Sequence, residues 1–459
     1  MVSIGARRPY PGKAHVLRAV ATVFEPRHCC FDPVKFEWRP SVVSVQLCSL
    51  AREVDSGEMP GRDIVCFSTQ DWNDLWTRKQ RFMQMFAGAG NRVLYIETPV
   101  HLLGLDVLPK DPSRFHRFLA GPRQISERLF VATLPVLLPF FQMSHAINGA
   151  NHVWIRRLVR RWLQKLEFMN PLLWIYTPFS AGLLETFQFD SVYECVDEFR
   201  GASGLISSKV IGEMEDRLLR QVDLTIVTHE NLLARRAQLC AKTFCIPNGA
   251  DITMFRDAAF GRLEIPADVA SIPGPRVGFV GFIQYWIDLD LINFLAARRP
   301  DWSLILIGPK SPMARLGKIR HHRNVYLLGR KPRHTIPAYL QSFDCCINPY
   351  VAGPLADHCS PLKLYEYLAA GKRVVSTDMP AARKFDGEID VASSREEFLQ
   401  LCSRRIAQPP DSPGRIEQRV QKVSSHSWEH RFRQLNTVLD EIFEKTEVKK
   451  RRQAATGHV

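Results

Sequence analysis

The sequence predicts an α/β protein made of two doubly wound parallel-sheet domains facing each other across a cleft. Three observations predict it. Short apolar runs alternate with amphipathic helical stretches, the strand–helix–strand order that builds parallel sheets with helices on their faces. The rhythm occurs twice, over about residues 62–247 and again over about 275–425. Between the two lies Pro247-Asn248-Gly249, a strong turn signal because Asn and Gly tolerate positive φ.

The chain has 459 residues, 46% hydrophobic and 24% charged, an ordinary globular composition with room for two or three domains. Its 11 cysteines show no CxxC and no Cys/His zinc spacing. A chain of this length reads as a cytoplasmic protein with reduced, mostly buried thiols rather than a disulfide scaffold. The first twenty residues contain no continuous apolar segment, so no signal peptide is expected. The most apolar run, LFVATLPVLLPFF from Leu129 to Phe141, is too short for a bilayer and contains Pro135 and Pro139. No transmembrane helix is expected. The net charge of +14 suits nucleic acid, anionic headgroups, phosphorylated substrates or simply a solvated basic surface. No nucleic-acid motif accompanies it, which argues against the first.

Residues 1–60 hold Pro9, Pro11, Pro26, Pro33, Pro40 and Pro60 without any period, and read as a loosely ordered extension. Strands are then expected at 64–68 (IVCFS) and 92–98 (RVLYIET), around a helix over about 75–86. The helix expected at 152–168 gathers Ile155, Leu158, Val159, Trp162, Leu163 and Leu166 on one stripe and leaves Arg156, Arg157, Arg160, Arg161 and Lys165 elsewhere. Strands at 172–176, 191–196, 223–228 and 243–247 complete the first half. In the second half, strands are expected at 276–281, 303–308, 325–329 and 374–377, with one more ending in CCINPY (345–350). Helices are expected near 287–297, 335–342 and 362–370. A last amphipathic helix, about 428–444, precedes the basic tail KKRRQ. The implied domains are 61–250 and 251–427, with the closing helix over 428–445 and the tail over 446–459.

The segment SPLKLYEYLAAGKRVVST, residues 360–377, carries the most chemistry. Pro361 suits a helix start and Gly371 a helix end. A helix N-terminus offers free N–H groups to a diphosphate, beside Ser360. Lys363 adds a cation, and Glu366, three residues on, shares its face and accepts hydrogen bonds from ribose hydroxyls. The competing reading of the same spacing is a core helix with one exposed ion pair.

This segment resembles the donor-site motif of the group 1 (family 4-like) glycosyltransferases with the GT-B fold. Ile246-Pro247-Asn248-Gly249-Ala250-Asp251, with Phe255 behind it, resembles the hinge motif of that fold, and Phe279-Val280-Gly281 its second-half first strand and loop. The resemblance covers about 62–445 and is nearest to teichuronic-acid-type polysaccharide transferases. It implies two Rossmann-like domains, a donor site on the second through Lys363, Glu366 and Gly281, an acceptor site on the first, and a last helix crossing back to brace the first. There are departures. His358 stands where many members place a first glutamate, and the loop after Gly281, FIQYW, lacks their diphosphate-binding cations. Arg330 or Lys331 is expected to supply that charge with Lys363.

Asp197 and Glu198 follow the strand VYECV and are candidates for the base that takes an acceptor proton. A helix-capping role for the aspartate stays open beside it. Trp72, Asn73, Arg78 and Gln80, in the loop and helix start after the first strand, are candidate acceptor contacts. The competing reading packs the aromatics in the core. Asp288-Leu289-Asp290 mimics a metal-binding DxD but opens a helix, where acids are stabilised by the dipole, so no metal is expected. No cofactor is expected either, since a nucleotide sugar is a substrate.

The resemblance therefore implies a metal-independent hexosyltransferase. It would move sugar from a nucleotide-diphosphate donor to a polysaccharide or lipid-linked acceptor in cell-surface glycan biosynthesis. The basic 152–168 helix and the 129–141 run suit peripheral docking at the inner membrane face. The alternatives are a GT-B-like nucleotide-sugar epimerase and a non-catalytic membrane or nucleic-acid adaptor.

Overall fold

The computed structural model describes residues 61–74, 76–101, 113–201, 207–311, 314 and 316–456. The extension expected over 1–60 lies outside them. The first half contributes β1 (Asp63–Phe67), β2 (Arg92–Ile96), β3 (Val100–His101), β4 (Arg123–Ser126), β5 (Leu129–Ala132), β6 (Val136–Leu137), β7 (Leu172–Ile175), β8 (Ser191–Cys195), β9 (Leu224–Val227) and β10 (Thr243–Cys245). The second contributes β11 (Arg276–Val280), β12 (Ser303–Ile307), β13 (Val325–Gly329), β14 (Cys345–Asn348), β15 (Val374–Thr377) and β16 (Ile389–Ala392).

The first sheet has the order β10-β9-β8-β7-β1-β2-β5-β4, parallel except for the β4–β5 pair. The second, β13-β12-β11-β14-β15-β16, is parallel throughout. In both, the strand order reverses beside the first strand of the half, which opens a crevice at the carboxyl ends. The central strands read as nearly continuous apolar runs because helices bury them on both faces, and β1, β7, β8, β9 and β12 are buried at every residue.

Several elements differ from expectation. The run 129–141 is not one apolar surface segment. Its first four residues form β5, with Leu129, Val131 and Ala132 buried in the sheet, while Leu138 and Phe140 remain exposed. The basic helix begins earlier, at His145–Lys165, because Ser144 caps it through the backbone N–H of Ile147. Its predicted stripe does face the core: Ile155, Val159, Trp162 and Leu163 are buried, and Leu158 and Leu166 pack half-buried against the same cluster.

The last helix, Trp428–Thr456, runs further than expected and takes in most of the basic tail. It crosses back. Trp428, Phe432, Leu435, Leu439 and Phe443 share one core cluster with Phe82, Phe86 and Trp174 of the first half. The chain passes between halves at two places, and these lie side by side. Ala250 N–H donates to His426 at 2.9 Å and Trp428 N–H donates to Ala250 at 3.2 Å. The hinge glycine has a definite reason here: a Cβ on Gly249 would sit 2.7 Å from the His426 carbonyl oxygen.

Candidate active site

The second half presents its site at the reversal of strand order, between the ends of β11 and β14. Gly281 follows β11, Tyr350 follows β14, and the helix Leu362–Ala369 points its start between them. Lys363 lies in the first turn of that helix. Its ammonium donates to the Tyr350 hydroxyl at 3.1 Å and stands 4.7 Å from the Tyr350 ring centroid and 5.3 Å from that of Phe279. Burial pulls this lysine down to about 8. A Cβ at Gly281 would meet the Lys363 Cε at 3.0 Å, so the glycine makes room for the cation. Tyr367 buttresses the same loop, its hydroxyl accepting from the Val280 N–H at 2.8 Å.

Glu366 is buried and accepts from Arg333 at 2.8 Å. Arg333 was not among the expected cations. The two that were go elsewhere. Lys331 pairs with Asp268 at 2.6 Å, beside the Tyr339 hydroxyl, and Arg330 reaches the Asn73 carbonyl across the cleft at 3.5 Å. The cation beside the ribose-binding candidate is thus two residues beyond Lys331. Ser360 uses its hydroxyl on Tyr365 at 3.1 Å, and its carbonyl accepts from the Asn248 side chain at 2.7 Å, tying the donor loop to the hinge.

On the facing half, Asp197 follows β8 and stands open to the cleft, although protein surrounds it on both sides. This crowding raises its carboxyl above the usual range, and the Lys79 ammonium opposes the rise. Tyr350 and Cys359 of the other half lie within reach of the Asp197 charge. Glu198 has a different environment. Arg236 donates to it through both terminal nitrogens, at 3.1 and 3.2 Å, and the Arg200 N–H at 3.1 Å. Burial alone would push Glu198 up, but these partners hold it below the usual range. It anchors the loop rather than offering a free base. The capping role left open for Asp197 has no counterpart among the cap contacts of the described helices. His229 fills such a role instead, its Nδ1 accepting from the Asn231 N–H at 3.1 Å.

The acceptor candidates divide. Asn73 is exposed beside the cleft. Trp72 is buried and packs edge-on to Trp76 and Tyr95, as the core reading had it. Gln80 is fully buried, accepting from the Thr77 N–H at 3.1 Å and donating to the Asp71 carbonyl at 3.1 Å, so it builds the helix start and cannot meet an acceptor. Arg78 is buried against Glu194, with its Nη1 on the Pro247 carbonyl at 2.9 Å. It secures the hinge, not a sugar. The DxD look-alike also resolves into separate contacts. Asp288 caps its helix through the Leu291 N–H at 2.8 Å, and Asp290 pairs with Lys318 at 2.5 Å.

Comparison with known proteins agrees with this geometry. Residues 274–404, which span the donor-side sheet and its loops, match the family model "Glycosyl transferases group 1". Over these residues the chain carries a group 1 glycosyltransferase domain. Over 375 residues the transferase is 26% identical to a Bacillus subtilis (strain 168) protein that bears the name teichuronic acid biosynthesis glycosyltransferase TuaH, covering 72% of this chain and 93% of that one. In fold it is similar to sucrose-phosphate synthase from Thermosynechococcus elongatus, with a TM-score of 0.63, 17% identity and coverage of 84% of this chain and 100% of that one. It is also similar to Anabaena HepE, solved with UDP and glucose, with a TM-score of 0.57, 14% identity and coverage of 83% and 100%. These likenesses make the two-sheet architecture that of the GT-B transferases. None of them points to an epimerase or an adaptor.

Proposed function

We propose that this transferase moves a sugar from a nucleotide-diphosphate sugar to a polysaccharide or lipid-linked acceptor in cell-surface glycan biosynthesis. One observation carries the reading. A half-buried lysine, Lys363, and the start of its helix face a cleft whose opposite wall holds an accessible carboxylate, Asp197. The cation and helix N–H groups stabilise the departing diphosphate without a cofactor or divalent metal. Glu366, steadied by Arg333, takes the ribose hydroxyls. Asp197 takes the acceptor proton as its oxygen bonds to the anomeric carbon and the bond to the diphosphate breaks, which inverts that carbon. HepE, of the same fold, was solved with UDP and glucose, and the TuaH name refers to a wall polysaccharide, which support the donor and acceptor classes.

The acceptor reaches the first half at the cytoplasmic membrane face in this reading. Trp154, Leu138 and Phe140 are exposed, and Arg157, Arg160 and Arg161 are exposed on the same basic helix as Trp154. That combination suits a headgroup interface. Among the described residues no helix is long and apolar enough to cross a membrane.

A melting-temperature screen against UDP, GDP, TDP and ADP, with and without Mg²⁺, tests the donor reading. A nucleotide at about 100 times its dissociation constant adds about 2.7 kcal/mol. One nucleotide that raises the melting temperature equally with and without metal is the expected result. No response to any of the four overturns it.

A further inference from the structure

The helix Ser113–Ala120 of the first half is built inside out. A surface helix ordinarily turns its apolar stripe to the core and its charges to water. Here Arg114 is 6% exposed, while Phe115 is 60% and Leu119 65% exposed. The arginines turn inward because two carboxylates hold them. Arg114 donates to the Asp71 carboxylate and to the Thr98 carbonyl, and Arg117 lies 3.7 Å from Glu97 and 3.9 Å from Asp71. Glu97 is itself buried, accepts from the Trp72 N–H at 3.1 Å and pairs with Arg123 at 3.3 Å. These contacts fix the charged side of the helix against the loops that follow β1 and β2. That orientation leaves Phe115 and Leu119, one turn apart, side by side in the open.

The adjoining helix indicates what covers them. Just past Ala120, a Cβ on Gly121 would lie 3.6 Å from the Trp162 indole nitrogen. Trp162 belongs to the helix His145–Lys165, which carries five arginines and lysines and no acid. Four of these, Arg157, Arg160, Arg161 and Lys165, are exposed. Toward its start the same helix holds a second apolar segment. The Asn151 side chain accepts from the Leu138 N–H at 2.9 Å and donates to the Leu138 carbonyl at 3.2 Å, and Leu138 is exposed. The two attachment points, Asn151 and Trp162, are about 16 Å apart along the helix axis. A partner that meets both segments must therefore be broad, apolar in depth and negative where it meets the arginines. An anionic bilayer surface has all three properties. A second copy of the chain would instead set one acid-free basic helix against another.

We propose that the helix Ser113–Ala120 docks on an anionic phospholipid surface, with Phe115 and Leu119 entering the acyl boundary and the neighbouring arginines meeting headgroup phosphates. The inference rests on the reading that the acceptor is met at the membrane face, and it names the element that seats the chain there. It also joins the bilayer to the acceptor side, since Arg114 and Arg117 hold Asp71, two residues before Asn73 at the cleft.

Flotation of the full chain with phosphatidylcholine vesicles, with and without phosphatidylglycerol, tests this. The wild type is expected to bind the phosphatidylglycerol vesicles alone, and less as salt rises. Amide exchange over residues 113–120 is expected to slow several-fold when those vesicles are present. Phe115→Ser combined with Leu119→Ser, both at exposed positions, is expected to weaken vesicle binding by about ten-fold or more. Its melting temperature and its response to nucleotide stay those of the wild type. A double variant that binds vesicles as tightly as the wild type overturns the inference and leaves membrane docking to the segment around Leu138. A wild type that binds no anionic vesicle overturns the inference and the membrane-face reading together. Self-association through Phe115 and Leu119 in place of vesicle binding overturns the inference in favour of a second copy.

Discussion

Arg333 and Glu366 form a 2.8 Å ion pair in the candidate donor site, joining the loop after β13 to the helix that carries Lys363. The pair has a consequence for both partners. Glu366 is held oriented before any nucleotide arrives, and Arg333 is restrained beside it. Arg333→Ala is therefore expected to weaken nucleotide binding by about ten-fold or more, the effect of one charge-assisted hydrogen bond. Lys331→Ala, whose side chain is turned to Asp268, leaves binding within about two-fold. Calorimetric titration with the nucleotide found by thermal shift separates the two. Equal losses in both variants would return the diphosphate to the earlier expectation.

Glu366→Ala tests the other partner. It leaves the half-buried Arg333 without its ion-pair partner and removes the proposed acceptor for ribose hydroxyls. The chain is expected to fold, with stability reduced by about 1–2 kcal/mol in urea unfolding and donor affinity reduced more than ten-fold. Unchanged turnover in this variant would remove Glu366 from the donor site.

Why these contacts were only partly legible in the sequence follows from what sets them. Strands β12, β13 and β15 could be read closely because each is a continuous apolar run between turn residues, and the helix at 362–369 because Pro361 and Gly371 bracket it. β4 and β16 are short and mixed in polarity, and β5 was hidden inside an apolar run that continues past its end. The neighbouring positions of Lys363 and Glu366 showed because one helical turn fixes their separation. Arg333 did not, since the direction of the loop after β13 decides which of Arg330, Lys331 and Arg333 turns inward. Arg78 and Gln80 looked like sugar contacts because they follow the first strand. Yet Thr77-x-x-Gln80 is a helix-start pattern, and that signal was available.

The Arg78–Glu194 pair supplies a prediction about the hinge. Both side chains are nearly inaccessible, and Arg78 also reaches the Pro247 carbonyl, so one group ties β8 to the crossing between halves. Arg78→Met leaves Glu194 buried with the Trp174 indole as its remaining hydrogen-bond donor among the described residues. A loss of roughly 3–5 kcal/mol is expected in chemical denaturation. Glu194→Gln added to Arg78→Met recovers part of it, because the uncompensated charge is gone. A single variant as stable as the wild type would mean that the pair does not secure the hinge.

Lys363 is expected to set the pH dependence of nucleotide binding. Burial holds its ammonium at about 8, below the ordinary lysine value, so the free enzyme loses this charge as pH rises through that point. A bound diphosphate favours the protonated form. Affinity is therefore expected to be constant below about pH 7 and to fall by about ten-fold per unit above about pH 8 until the bound-state value is passed. Lys363→Met binds weakly at every pH and loses this dependence. Gly281→Ala is a milder version of the same lesion, since its new methyl would press on the Lys363 Cε at 3.0 Å and shift the ammonium off Tyr350. Calorimetry across pH 6 to 9.5 on the three proteins decides it. A wild-type affinity that stays level through that range would show that Lys363 does not meet the diphosphate.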